Sequence, residues 1–238
     1  MELLTKIGLA FDHGGLWMWP IAAFQVLSIA IVIERFMTLY VKRGVRELSA
    51  ITAFEDNIRR GEIDQVVLKA TNLREKHPVA KAVIAGAQAA ARFGGKDEIQ
   101  GKMDEVLLHE NAILDKRIGF LAMLGNVATL TGLLGTITGM IRSFAAVAYA
   151  NPSEKAALLA QGISEAMNCT AYGLIVAIPA LLFFALLQNR ANSLADDLNQ
   201  AALKAFNWLS FAYDPVTMRI PLDKARAAKS SESREVNA

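Results

Sequence analysis

The chain has 238 residues, 53 % of them hydrophobic and 20 % charged, with a formal charge of +2 at pH 7. That balance, with no dense Lys/Arg block, excludes an electrostatic nucleic-acid binder. The single cysteine, Cys169, excludes an internal disulfide and a cysteine-built metal site. So much apolar residue beside so many charges points to apolar segments set between charged ones.

Residues 1–15 open Met1-Glu2-Leu3-Leu4 with one lysine, Lys6, and no small-residue cleavage site. They are expected not to act as a cleaved signal, so the first apolar stretch should stay in the mature protein. That stretch, 16–40, has Trp17 and Trp19 at its start and Tyr40 at its end, as an aromatic belt places them. A spanning helix needs about 20 mostly apolar residues to cross a core of roughly 30 Å. Residues 118–150 and 162–189 also qualify, the latter closed by Asn189 and Arg190. Three such lengths leave too little protein to cover them in a soluble core.

Between the first two stretches, Arg60-Gly61, His77-Pro78 and Gly94-Gly95 cut residues 41–117 into helix-sized pieces. Leu48, Ile51, Phe54 and Ile58, then Val79, Val83, Ala87 and Ala90, recur at helical spacing. Met103, Val106, Leu107, Leu114 and Ile118 carry a stripe that runs without a breaker into the second span. In the turn 151–161, Asn151 can cap a helix, Pro152 suits its first position and Glu154 its third. Beyond the third span, Leu194, Leu198, Ala201, Ala205 and Leu209 continue a helical stripe until Asp214-Pro215, within a segment 190–223. Residues 224–238 hold almost no large apolar side chain and are expected to be disordered.

The fold class expected is an all-α membrane protein with three transmembrane helices. Spans two and three should extend as long helices into a helical cytoplasmic domain. Basic residues set the orientation: Lys42, Arg43, Arg46, Lys116, Arg117 and Arg190 flank one set of span ends. The other set has only Lys6 and Lys155, apart from Arg142 near the end of span two. The N-terminus and the 151–161 turn should therefore face outward and the C-terminus the cytoplasm.

Span two places Thr129, Gly132, Thr136, Gly139 and Ser143 on one helix face. Span three does the same with Ala166, Thr170, Gly173, Ala177 and Ala180. Small residues let backbones approach closely in lipid, and for the glycines and alanines plain helix packing is the better reading. The threonine hydroxyls can also line a wet path or meet a partner's carboxyl group. Thr136 lies 19 residues beyond Arg117 and Thr170 lies 20 before Arg190. Both then stand roughly 28–30 Å from the charged ends, at one level in an antiparallel pair. The same arithmetic puts Arg142 and Glu165 at a common height of about 37 Å. They pair, within a chain or between neighbours, or each reaches separately into the headgroups. Glu34 and Arg35 at the inner end of span one read as structural, and Pro179 is tolerated in a membrane helix and expected to kink it.

No cofactor is expected. His13, His77 and His109 have no partner at metal-ligand spacing, and neither a phosphate-binding glycine loop nor a nucleophile elbow occurs. Nothing supports an enzyme.

The segment Gly132-Leu133-Leu134-Gly135-Thr136, continuing to Gly139-Met140, resembles the GLLGTxxGM motif of the MotA/TolQ/ExbB proton-channel family. Gly162 to Glu165, Thr170, Gly173 and Ala177-Ile178-Pro179-Ala180 resemble its span-three motif, and Ile33-Glu34-Arg35 its usual end of span one. The likeness covers most of residues 16–210 and lies nearest the ExbB/TolQ branch. It implies an inner-membrane, proton-motive-force-driven complex in which five copies surround single-span ExbD/TolR-like partners, each bearing a membrane aspartate. A TonB-like or TolA-like protein can complete such an assembly, with membrane lipids around it. By position, Thr136 and Thr170 match the family's partner-facing polar residues and Glu165 its span-three glutamate. Asn168, Cys169 and Tyr172 depart from the pattern and make span three more polar. The spans hold no carboxylate near the membrane midplane, so a proton carrier must come from a partner. The alternatives are a non-conducting membrane scaffold and a self-sufficient ion channel.

Overall fold

In a computed structural model the structure describes residues 15–43, 47–75, 77–92 and 95–213. The expected outer segment apart from Gly15, His13, Gly94, the Asp214-Pro215 stop and the expected disordered tail lie outside the described residues. Every regular element among the described residues is helical: α1 (Met18–Phe36), α2 (Glu47–Arg59), α3 (Ile63–Leu73), α4 (Pro78–Arg92), α5 (Lys96–Asp115), α6 (Ile118–Tyr149) and α7 (Lys155–Tyr213). A π-helical turn, Met37–Lys42, follows α1. Three stretches, Met18–Val41, Lys96–Tyr149 and Lys155–Phe211, are long and apolar enough to cross a membrane. The described residues fall into two compact units: 15–41 with 115–190, and 42–114 with 191–213.

The second unit has a conventional large-residue core. Ile51, Phe54 and Ile58 of α2, Val79, Val83 and Ala87 of α4, Met103 of α5, and Leu198, Ala205 and Leu209 of α7 are all buried. These are the stripes read from the sequence, and each fully buried Val, Leu, Ile or Phe contributes about 1.5–3 kcal/mol. Beside this core sits a group of charges. Glu110 of α5, only 1 % exposed, accepts from Arg43 and from Lys81 of α4, each at 2.7 Å. Burial works against the Glu110 carboxylate, but the hydrogen bonds and charges of Lys81 and Arg43 outweigh it and hold its pKa below the usual carboxylate value. Glu47 opens α2 and is also buried. Its carboxylate accepts from the Val79 N–H at 3.1 Å and lies 3.6 Å from His77 Nδ1, while its own N–H donates to Asp197 of α7 at 3.0 Å. Burial first, then the neighbouring Asp197 and Glu110, push the Glu47 pKa up to about 7 against the opposing Val79 N–H and Arg43.

The first unit packs α1, α6 and α7 up to Arg190, and it buries Met18, Ile21, Ile118, Leu121 and Leu187. At its charged end, Arg117 Nη1 donates to both Glu34 oxygens at 2.9 and 2.7 Å, and Arg35 donates to Glu34 at 3.0 Å. Gln188 of α7 donates to Asp115 at 3.2 Å, and the Arg190 guanidinium stands 5.3 Å over the Tyr40 ring. Glu34 and Arg35 thus take the structural role read for them.

Two details differ from the sequence reading. The unbroken stripe predicts one continuous helix into the second span, yet α5 and α6 are separated at Lys116 and Arg117, where Arg117 has φ +63°. A left-handed residue without glycine's freedom costs about 1–2 kcal/mol. The paired bonds to Glu34 offset that, and neither the strain nor the partner is visible in periodicity. The Asn151-Pro152 signal predicts a helix from 152. Instead a turn comes first, with the Glu154 and Lys155 N–H groups both bonded to Asn151 O, and α7 starts at Lys155. Pro179 lies inside an otherwise continuous α7, where it has no N–H to give the Ile175 carbonyl.

Candidate ion path along the second and third spans

Helices α6 and α7 meet backbone to backbone. A Cβ built at Gly173 would lie 2.8 Å from Ala128 O, and one at Gly132 would lie 3.1 Å from Cys169 O. At Gly139 it would stand 3.1 Å from the Ala166 Cβ. At Gly173 a side chain would force the backbones apart, and at Gly132 and Gly139 it would be tight, in keeping with the small-residue faces read from both spans.

On this seam the two depth-matched threonines come together. The Thr170 hydroxyl lies 3.0 Å from Gly132 O and 3.4 Å from Thr136 Oγ1. Thr136 donates to Leu133 O at 2.6 Å. A hydroxyl has one proton to give and two lone pairs, so with their protons committed to carbonyls both oxygens retain acceptor capacity. Such a pair can order water or receive a proton donor from another helix, but it does not itself ionise. Thr129 lies two turns before Thr136, half-buried, with its hydroxyl turned back to Gly125 O at 3.1 Å. Ser143 is buried and bonded to Gly139 O at 2.9 Å.

Arg142 and Glu165 share a height but not a direction. Among the described residues no ion pair joins them within the chain. Gly139 and Ser143 face α7, and Ala166 faces α6. Arg142 and Glu165 each sit one residue, about 100° of rotation, away from those contacts. Arg142 is exposed, while Glu165 is half-buried with its carboxylate against Gly15, where any side chain would collide with it. Gly15 itself has φ +70°.

Two of the three polar departures in span three point away from the threonine pair. Cys169 is 1 % exposed and lies against Gly135, in a cluster with Ile21, Ala128 and Val176. Tyr172 donates its phenol O–H to Gln25 Oε1 of α1, and Trp17, Phe24 and Tyr172 pack around the same cluster. Trp17 is therefore turned inward, unlike the exposed Trp19. Gln25 was missed in the sequence, although it is the sole amide in the apolar run of span one. Among the described residues no three His, Cys, Asp or Glu side chains stand where they could hold a metal ion.

Several known proteins are similar to this chain in sequence. The chain is 25 % identical over 199 residues to the biopolymer transport protein ExbB of Pseudomonas putida, covering 76 % of this chain and 58 % of that protein. It is 27 % identical over 198 residues to the Tol-Pal system protein TolQ of Haemophilus influenzae, covering 74 % and 79 %. With a putative biopolymer transport protein, ExbB-like 1, of a Synechocystis species it shares 30 % identity over 183 residues, 74 % of this chain and 68 % of that one. The sequence profile of the MotA/TolQ/ExbB proton channel family matches residues 74–200, which take in the glycine seam and both threonines. Three apolar helices, two of them crossing on glycines around a hydroxyl pair, are thus the form this chain gives to the MotA/TolQ/ExbB proton channel family, to which it belongs.

Proposed function

We propose that the chain is the pore-wall subunit of an inner-membrane complex that uses the proton motive force to energise outer-membrane transport or envelope processes. The observation that carries this reading is the Thr136–Thr170 contact, 3.4 Å between hydroxyl oxygens. It lies deep in two apolar helices that hold no carboxylate at the same level. A wall with acceptors but no ionisable group needs a carrier from elsewhere. A single-span ExbD/TolR-like partner with a membrane aspartate supplies one, and the aspartate meets the hydroxyl pair as it takes up or gives up its proton. Five copies of this chain surround that partner, with a TonB-like or TolA-like protein receiving the work. The ExbB and TolQ names of the relatives support the branch.

Gly132, Gly139 and Gly173 set the spacing of the wall, Thr129 extends its polar face, and Glu165 stands toward the outer mouth. In this reading 16–40, 118–150 and 162–189 span the membrane, 41–117 and 190–223 face the cytoplasm, and Arg142 and Glu165 are free to pair between neighbouring copies.

Thr170→Val tests the reading, because it keeps the shape and removes the hydroxyl. In proteoliposomes holding chain and partner, proton uptake driven by an imposed gradient should fall about tenfold or more, roughly the 1.4 kcal/mol that a factor of ten represents. The amount of assembled complex should stay unchanged. Uptake equal to that of the parent complex would sink the role of the hydroxyl pair.

A further inference from the structure

Span three lies between two neighbours and touches each through a different polar residue. Thr170 reaches span two at Gly132 and Thr136. Tyr172, two residues further and so about 200° around the helix, reaches span one at Gln25. Cys169 fills the space between, against Gly135.

We propose that Tyr172 and Gln25 form a positioning pair that fixes the rotation of span three about its own axis and so holds Thr170 against Gly132 and Thr136. Where small residues let two helices slide or turn with little change in contact, a hydrogen bond in an apolar surround is directional and fixes one rotation. Gln25 lines an apolar groove between α1 and α7 with Ile29, Val32, Val176 and Phe183. The other polar side chain there is Ser28, whose hydroxyl is committed to Phe24 O at 2.8 Å. Losing either partner removes the directed bond that ties span three to span one at this point. Span three is then free to turn, and Thr170 leaves span two. Tyr172 is a positioning residue: it acts on the path through Thr170.

The chain's single cysteine reports this rotation without any added label site. In the full complex, alkylation of Cys169 by N-ethylmaleimide should be slow in the parent and at least threefold faster in Tyr172→Phe and in Gln25→Leu. The double variant should react no faster than the faster single one, because both changes break one bond. Proton uptake per assembled complex should fall in each single variant.

Unchanged alkylation in both single variants overturns the proposal. So does a double-variant rate equal to the product of the single effects. A loss of assembled complex, with alkylation and uptake per complex unchanged, also overturns it by reducing the pair to a packing contact. The uptake arm rests on the proposed ion path and the alkylation arm does not. If Thr170→Val leaves uptake unchanged while Tyr172→Phe speeds alkylation, the ion path fails and the positioning pair stands.

Discussion

The two units of this chain are both helical, yet they are held by different physics. In the unit of 42–114 and 191–213, Phe54, Ile51, Val83 and Leu198 fill space that water would otherwise contact, and buried charges are answered by named partners. In the unit of 15–41 and 115–190, α6 and α7 meet on Gly132, Gly139, Gly173 and Ala166, while Met18, Ile21, Leu121 and Leu187 are buried elsewhere in the unit. Lipid tails are as apolar as leucine, so large side chains gain nothing by leaving them. What holds the helices is side-chain packing, backbone contact at its closest on the glycine seam, and a few directed hydrogen bonds. One unit is held mainly by its large-residue core, and the other adds to its buried side chains a seam where two backbones come close.

That contrast can be broken from either side. The largest effect should come from Phe54→Ala, which removes a fully buried ring and should destabilise the helical bundle by about 3–5 kcal/mol. Hydrogen exchange of the α2 and α4 amides reads it; protection kept at the parent level would show that the bundle does not depend on its core volume. Next is Gly173→Val, where the added side chain meets the Ala128 carbonyl. Overpacking of this kind costs about 1–3 kcal/mol and should lower the melting temperature of the purified complex by several degrees, while an unchanged melt would mean the seam is looser than its geometry.

The smallest effect concerns pH. Glu47 in the folded chain titrates near 7, above its ordinary value of 4.5. The folded state therefore keeps a proton that the unfolded chain has released. Its contribution is fully present below about pH 4.5 and is lost as pH rises through about 7. The bundle should lose on the order of 1–2 kcal/mol between pH 5 and 8. Glu47→Gln should flatten that slope. The lowered Glu110 acts the other way, its contribution being lost only as pH falls below the ordinary carboxylate range. A flat parent profile from pH 5 to 8 would remove Glu47 as the responsible group.

Height along a helix was legible in the sequence because rise per residue is constant. Counting from Arg117 and Arg190 brought Thr136 and Thr170 to one level, and they stand 3.4 Å apart. Direction around the helix was not legible from counting alone. Arg142 and Glu165 agree in height and still point off the seam, since only the glycine contacts reveal which way each helix faces. The stripes of the bundle were legible because water enforces them: Ile51, Phe54, Ile58 and Leu198 are all buried as their spacing requires. Gln25 was not, because a lone amide in an apolar run carries no period, and its partner lies 147 residues away. Arg117 likewise gave no signal, as its left-handed backbone is tied to a carboxylate 83 residues earlier.

The Arg117–Glu34 bond has a consequence for how the protein should respond to its ionic surroundings. Both side chains are substantially open to solvent, at 49 % and 40 % exposure. A pair so placed is worth about 0–1 kcal/mol, no more than the backbone strain it offsets, and dissolved salt weakens it further, with a screening length near 8 Å at physiological strength. The left-handed backbone at Arg117 is thus close to balance with an ordinary helical one, and ionic strength becomes a dial on the conformation of that one residue.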